Sequence, residues 1–226
     1  MRLIQPQAFR YDRQKTEVMR RVLTADSNCI DVGAYRGEVL KEMLRFAPRG
    51  RHFAFEPLPE NHAFLLRRFE GVTVLDVALT DFTGTSTFQF IRSRPARSGL
   101  RRVEYPEEEE IRELTVRTGT LDLLIPSELP IRLLKVDVEG GEHAVLRGGR
   151  GLIRRHRPVI LFEHDQARSR SLGASSEAIY DLLTGLDLQV SLMDRWLRSR
   201  PGLTREEFLA SKQDFEYIAY SAELAP

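Results

Sequence analysis

The fold of this chain is decided by the stretch Asn28-Cys-Ile-Asp-Val-Gly-Ala-Tyr-Arg-Gly37. Its apolar residues suit a strand that is buried on both faces, and an amphipathic helix follows Gly37. Gly33 allows the backbone to turn sharply and to approach a ligand, and Gly37 allows the next helix to pack closely. The stretch therefore predicts a strand, a turn and a helix that together cradle a nucleotide-type cofactor. The alternative is an ordinary strand-turn-helix unit whose glycines only shape the turn.

A second acidic residue follows the next predicted strand. That strand covers Arg51 to Phe55, and Glu56 stands at its end, where a carboxylate can accept hydrogen bonds from ribose hydroxyls. Dinucleotide-binding turns carry the pattern G-x-G-x-x-G, whereas this chain has Asp31-x-Gly33-x-x-x-Gly37. A carboxylate in this turn suits the cationic groups of S-adenosylmethionine, so the sequence favours this methyl donor over a nicotinamide or a flavin.

Composition sets the outer limits of the interpretation. The chain has 226 residues, of which 42% are hydrophobic and 30% charged, which is typical of one globular α/β domain. A net charge of +1 gives no electrostatic reason to expect nucleic acid or an anionic membrane as a partner. The single cysteine, Cys29, excludes an internal disulfide, and no signal peptide or membrane-spanning run is apparent. These features predict a soluble cytoplasmic protein.

The predicted domain organisation is simple. Residues 1–27 form an N-terminal arm and helix, and residues 28–226 form the main domain. Within that domain we expect a mobile loop at 92–113 and an insert at 194–213. The loop contains a basic block followed by acidic residues, a pattern typical of solvated segments. Alternatively, it folds over the active site so that its arginines grip an anionic part of the acceptor. The arginines are Arg92, Arg94, Arg97, Arg101 and Arg102.

Further acidic residues end two later strands. Asp137 and Glu139 follow the buried strand that begins at Ile131, and Glu163 with His164 follows the strand Pro158 to Phe162. In open α/β sheets ligands bind at the carboxyl ends of the strands, so these groups are predicted to lie at the edge that also carries the first turn. Near neutral pH a histidine can take a proton from an acceptor hydroxyl.

Each of these residues also has a structural interpretation. One of the two acids after Ile131 can merely cap a helix, Lys135 can pair with Asp137, and His164 can be a hydrogen-bonded structural residue. A divalent ion could be held by four of these groups, namely Asp137, Glu139, Glu163 and His164. They form no compact metal motif, so a metal is not expected.

Several short motifs together resemble the FkbM-type methyltransferases. They are Asp31-Val-Gly-Ala-Tyr-Arg-Gly37, Phe55-Glu-Pro57, Ala78-Leu-Thr-Asp81 followed by Gly84, Lys135-Val-Asp-Val-Glu-Gly140, and Glu142 with Val145-Leu-Arg-Gly148. The resemblance implies the class I methyltransferase fold, an α/β fold of Rossmann-like type with a seven-stranded, mostly parallel sheet, an antiparallel last strand and helices on both faces. It also implies S-adenosylmethionine-dependent O-methylation of hydroxyls on sugars, polyketides and related metabolites. The chain departs from the family at Tyr35, where asparagine is usual.

The predicted roles divide between donor and acceptor. The donor site is predicted to comprise Asp31, Gly33, Ala34, Tyr35, Gly37, Glu56, Pro57, Val77, Ala78 and Asp137. Glu139 or His164 is predicted to be the general base, Glu163 to orient it, and Asp137 to shape the site beside the donor.

The remaining expectations concern partners and alternative functions. The expected partner is a small hydroxylated molecule, and self-association into a homo-oligomer stays open. The alternatives are an inactive member of the fold that serves as a scaffold and, with less support, a nicotinamide oxidoreductase.

Overall fold

A computed structural model describes residues 6–91, 98–100, 110–166, 169, 174–211 and 216–224 of the chain. The described strands are β1 (Asn28–Val32), β2 (His52–Phe55), β3 (Thr73–Leu75), β4 (Val77–Leu79), β5 (Gly84–Ile91), β6 (Ile111–Gly119), β7 (Ile131–Val136), β8 (Val159–Glu163), β9 (Leu188–Leu192) and β10 (Glu216–Ser221). The described helices are α1 (Pro6–Val22), α2 (Glu38–Phe46), α3 (Pro59–Arg68), α4 (Leu121–Leu124), α5 (Glu142–Gly148), α6 (Arg150–His156), α7 (Ser176–Thr184), α8 (Met193–Leu197) and α9 (Arg205–Ala210).

The main sheet has seven strands in the order β3-β2-β1-β7-β8-β10-β9. The strand β10 is antiparallel to both neighbours, and the other pairs are parallel. The predicted seven-stranded, mostly parallel sheet with an antiparallel last strand is therefore confirmed. Because the strand order reverses between β1 and β7, the crevice in which such sheets bind ligands lies at the carboxyl ends of these two strands.

Helices cover both faces of this sheet, which explains why its central strands are apolar throughout. On one face, α1, α2, α3 and α8 pack against the sheet through residues such as Met19, Leu40 and Trp196. On the other face, α5, α6, α7 and α9 contribute residues such as Leu146 and Phe208. The indole N–H of Trp196 donates to the carbonyl of Leu224 at 3.3 Å, so this side chain packs the insert onto the body.

A second sheet, with the strand order β4-β6-β5, was not predicted. The β-branched run from Val72 to Val77 is typical of a single strand, but β3 ends at Leu75 and β4 begins at Val77, so the chain leaves the main sheet at Asp76. Beyond that point Val77 pairs with Arg117 of β6. The alternating residues from Thr85 to Ile91 are typical of an edge strand, and they pair with β6 along their whole length. This three-stranded sheet forms a wall beside the carboxyl ends of the main strands.

Two expectations concern segments that are described only in part. Most of the predicted loop at 92–113, including its five arginines, lies outside the described residues, as does the end of the 194–213 insert. Among the helices that the structure describes, none has both the length and the apolar character needed to cross a membrane.

Candidate active site

A cavity of about 520 Å³ lies at the carboxyl ends of β1, β2, β4 and β7, where the strand order reverses. This volume is typical of small-molecule sites. Every predicted cofactor-binding residue except Gly37 lines the cavity, and so do Asp137 and Glu139 among the predicted catalytic residues. The second sheet supplies a further wall through Ser86 and Phe88.

The glycines of the first turn have two different roles. Gly33 has φ of +74°, and a β-carbon there would overlap the main-chain carbonyl oxygen of Asp137. Gly37 has φ of +79°, and a β-carbon there would overlap the ring of Phe69 beside Leu65. Gly33 therefore lets the β1 and β7 turns meet under the cavity. Gly37 faces the protein interior, which is why it is absent from the cavity wall.

The carboxylate of Glu56 is held in place by the backbone. One oxygen accepts a hydrogen bond from the N–H of Tyr35 at 2.8 Å, and the other accepts one from the N–H of Leu58 at 3.0 Å. Burial raises the pKa of Glu56, although these two N–H donors oppose the rise. The carboxylate oxygens retain unused lone pairs at the cavity wall, so they can accept hydrogen bonds from a diol.

Two residues of the cavity wall adopt left-handed backbone conformations that favour glycine or asparagine. Tyr35 has φ of +48° and Glu139 has φ of +58°. Such conformations are uncommon for long side chains and cluster at functional sites. Asparagine is usual at this position in the FkbM-type methyltransferases that the sequence resembles, and it tolerates this conformation well. Tyr35 is half-buried in the wall and leaves the cavity open.

The cation beside Asp31 belongs to the protein itself. The Nζ of Lys135 lies 3.2 Å from Asp31 Oδ1 and 3.6 Å from Asp137 Oδ2, and it donates to the carbonyls of Val32 and Gly33. Although burial opposes its charge, the carboxylates of Asp31 and Asp137 raise the pKa of Lys135. The sequence pointed to a ligand cation next to Asp31, but the structure places an ion pair there.

Asp137 directly follows β7 and Glu163 ends β8, and the pairing of Val136 with Phe162 makes the two residues neighbours. Asp137 lines the cavity with 32% of its side chain exposed, whereas Glu163 does not line it. Burial and the nearby charge of Asp137 raise the pKa of Glu163 to about 10. Removal from water opposes the ionisation of Asp137. Its pKa nevertheless lies below the usual range, because the cations Lys135 and Lys15 and a hydrogen bond with Glu163 stabilise the carboxylate. These opposite pKa shifts favour a protonated Glu163 beside an ionised Asp137.

His164 lies away from the cavity. Its Nε2 is 2.9 Å from the hydroxyl of Ser176 and its Nδ1 is 3.0 Å from the hydroxyl of Ser169. The ring stacks on Phe208 and is only 1% exposed. Burial lowers the pKa of His164 to about 4. These surroundings match the structural interpretation of His164 better than its use as a general base.

Sequence reasoning missed His143 and Lys15 near the site, and it named Glu142 within a motif that resembles the FkbM-type methyltransferases. Glu142 lies under the loop after β7. Its Oε1 accepts hydrogen bonds from the N–H groups of Val138 and Gly140, each with an N to O distance of 3.0 Å. His143, which follows it in sequence, lines the cavity. Lys15 approaches from α1 and pairs with Glu216 of β10. A signal for Lys15 was present, because it lies on the helical stripe that contains the buried Met19.

Comparisons with known proteins agree with the fold of the chain. The model of the methyltransferase FkbM domain family matches residues 31–197. The methyltransferase FkbM of Methylobacillus flagellatus KT is similar in structure, with a TM-score of 0.54 and 19% identity over 88% of this chain and 44% of that one. A putative rRNA-methylase of Clostridium thermocellum has a TM-score of 0.52 and 10% identity over 93% of this chain and 94% of that one.

These likenesses establish the fold, which is that of class I methyltransferases. The chain spans less than half the length of the Methylobacillus protein. No match was found among curated protein sequences.

Proposed function

Because the chain belongs to the FkbM methyltransferase family, we propose that it transfers a methyl group from S-adenosylmethionine to a hydroxyl of a small acceptor such as a sugar or a polyketide-type metabolite. One observation carries this proposal. All of the predicted donor residues except Gly37 surround one cavity at the ends of four separate strands, where the strand order reverses.

The cavity wall offers a partner for each part of the donor. The carboxylate of Glu56, which the backbone holds in place, accepts hydrogen bonds from the ribose hydroxyls. The apolar side chains of Val77 and Ala78 flank the adenine. The N-terminus of α2 carries no side-chain cap, and its first residues Glu38 and Val39 line the cavity. Its unpaired amides and the helix dipole favour the donor's carboxylate.

The ion pair of Asp31 and Lys135 complements the donor's charges without adding net charge to the wall. Gly33 and the main chain of Asp137 form the floor on which the methionine portion rests. When bound, S-adenosylmethionine supplies an electrophilic methyl group on a positively charged sulfur. The protein's own contribution is to align the acceptor oxygen behind that methyl group and to exclude water.

The acceptor side of the cavity is acidic. Asp137 and Glu139 line it, and a carboxylate there can take the proton from the attacking hydroxyl. The second sheet adds Ser86 and Phe88, and Ser98 and Leu100 lie above them. Hydroxyl and apolar groups side by side suit an acceptor that is itself partly polar and partly apolar.

Calorimetric titration of the purified protein tests the donor assignment. S-Adenosylmethionine and S-adenosylhomocysteine should bind with micromolar dissociation constants, and reduced nicotinamide dinucleotide should not bind. Absence of binding by both sulfur ligands would contradict the proposal and favour a scaffold role. Transfer of labelled methyl groups to a panel of sugars and hydroxylated metabolites then tests the acceptor class, and label recovered only on amines would refute O-methylation.

A further inference from the structure

We propose that the carboxyl pair Asp137 and Glu163 receives the proton that the acceptor hydroxyl loses during methyl transfer, and that Lys15 and Glu216 position this pair from behind. This inference rests on the proposed function and names the proton acceptor at the same site. It assigns roles to residues of α1 and β10, both of which lie outside the family match at 31–197.

The sheet register brings the four residues together. Val136 of β7 pairs with Phe162 of β8, so the next residues, Asp137 and Glu163, are neighbours at the sheet edge. Glu216 of β10 lies directly opposite Glu163 in the antiparallel register. Side chains at paired positions point to the same face of a sheet, and here this is the face that α1 covers.

The helix α1 contributes the fourth residue of the cluster, Lys15. Lys15 is 8% exposed, and its ammonium forms an ion pair with Glu216. Lys15 and Lys135 are two of only four lysines in the chain, and both are buried beside these carboxyls. A compact ammonium on a flexible stem can neutralise several carboxylates at once, whereas the fork of an arginine would fix one geometry.

The charges around the pair favour a state with a single proton. Lys15 and Lys135 stabilise the ionised form of Asp137, while burial and the charges of Asp137, Glu139 and Glu216 keep Glu163 protonated. Other titratable groups that surround the pair are Asp31, Glu142 and His143. Because coupled groups titrate as a unit, the pair as a whole holds one proton and can accept a second.

Methyl transfer itself supplies this second proton. As the acceptor oxygen bonds to the methyl carbon, the bond from carbon to sulfur breaks and its electron pair stays on the sulfur. The hydroxyl proton passes to Asp137, and Glu163 keeps the proton it already holds. The sulfur loses its positive charge in the same step, so the proton affinity of the neighbouring carboxylate rises as the proton arrives. The exposed part of Asp137 returns the proton to water after the product leaves.

Proton uptake during ligand binding tests this assignment without a known acceptor. S-Adenosylmethionine and S-adenosylhomocysteine differ by the methyl group and the positive charge on sulfur. Calorimetry at acidic pH, near pH 5, brings the measurement closer to the lowered pKa of Asp137. Buffers of different ionisation enthalpy then measure the protons taken up with each ligand. We expect S-adenosylhomocysteine to take up a larger fraction of a proton per site than S-adenosylmethionine. Equal uptake with both ligands would overturn the proposal, whereas failure of both to bind would instead overturn the proposed function.

Two isosteric variants locate the proton. Asp137→Asn should abolish the difference in uptake between the two ligands. Glu163→Gln should retain the difference, since the amide still donates a hydrogen bond to Asp137. The matched control is Asp187→Asn, which changes an exposed carboxylate that forms an ion pair with Arg157. This variant should behave like the wild type. A difference that survives in Asp137→Asn would place the proton on Glu139 or His143, and its loss in Glu163→Gln would place it on Glu163.

The wild type also permits a direct check should Asp137→Asn fail to fold. Carboxyl carbon shifts measured by NMR in the two complexes should show Asp137 more protonated with S-adenosylhomocysteine. The positioning role of Lys15 predicts that Lys15→Met moves the pH midpoint of this titration upward and that Lys15→Arg restores it in part. An unchanged midpoint in a folded Lys15→Met protein would contradict that role.

Discussion

The Cα of Gly33 lies directly against the main-chain carbonyl of Asp137, so that no β-carbon fits between them. The two residues follow the adjacent strands β1 and β7, and the N–H of Asp137 donates to the carbonyl of Val32 at 3.2 Å. This contact closes the floor of the cavity exactly where the strand order reverses. One glycine therefore holds together the two turns that carry the candidate donor and acceptor residues.

Replacing Gly33 by alanine tests this contact. Gly33→Ala should lower the free energy of unfolding by about 3 kcal/mol or more, because a left-handed backbone and an overlap with Asp137 add together. Gly71 is a matched control, since it has φ of +80° but nothing within 4 Å of the position of a β-carbon. Gly71→Ala should cost only about 1 to 2 kcal/mol. Denaturant unfolding measures both, and equal losses would show that the contact itself matters little.

Glu56 should govern donor affinity. In Glu56→Gln the amide nitrogen cannot accept the backbone N–H that the carboxylate accepts, and the variant loses charge at the ribose. We expect the dissociation constant for S-adenosylhomocysteine to rise at least about tenfold, which corresponds to ~1.4 kcal/mol. Glu60→Gln, an exposed change in the first turn of α3, should leave it unaltered. Unchanged affinity in a folded Glu56→Gln protein would contradict the ribose role.

Glu163 should make the protein less stable at alkaline pH. Its pKa rises from 4.5 to about 10 on folding. Between these values the folded state holds a proton that the unfolded state has released, so the free energy of unfolding falls as the pH rises through this window. Glu163→Gln cannot lose that proton, and its stability should therefore decline less between pH 6 and pH 9. Urea titrations over this range measure the two slopes, and parallel slopes would refute the assignment.

His164 should make the protein less stable at acidic pH. Its pKa falls from 6.5 to about 4 on folding, so the unfolded state binds the extra proton first as the pH drops. Stability should therefore be lost as the pH falls from 6.5 towards 4. His164→Gln should weaken this acid dependence and lower stability at pH 7, because two serine hydroxyls lose their ring partners. Donor affinity at pH 7 should stay unchanged in the folded variant, and a marked loss would place His164 in the site.

Local patterns in the sequence were sufficient for most of the main sheet. Each of the seven strands of that sheet contains an apolar or β-branched run. Thr204 and Glu207 have the spacing of a capping box, and the structure contains this box. The run from Val72 to Val77 does not reveal the break between β3 and β4, because both of its halves have strand propensity. Only pairing decides that Val77 joins β6. Propensity reports that a segment is extended but does not identify its partner.

The sequence by itself determined the fold class, the glycine turn after β1 and the acidic character of the strand ends, because each depends on residues that are close together along the chain. Only the tertiary structure decided which charges meet. Lys15 and Glu216 are far apart in sequence, as are Asp31 and Lys135, yet both pairs form. His164 and Asp137 each follow a strand, but the former turns into the core while the latter lines the cavity. Burial and electrostatic partners arise from packing across the sheet, and no local pattern encodes them.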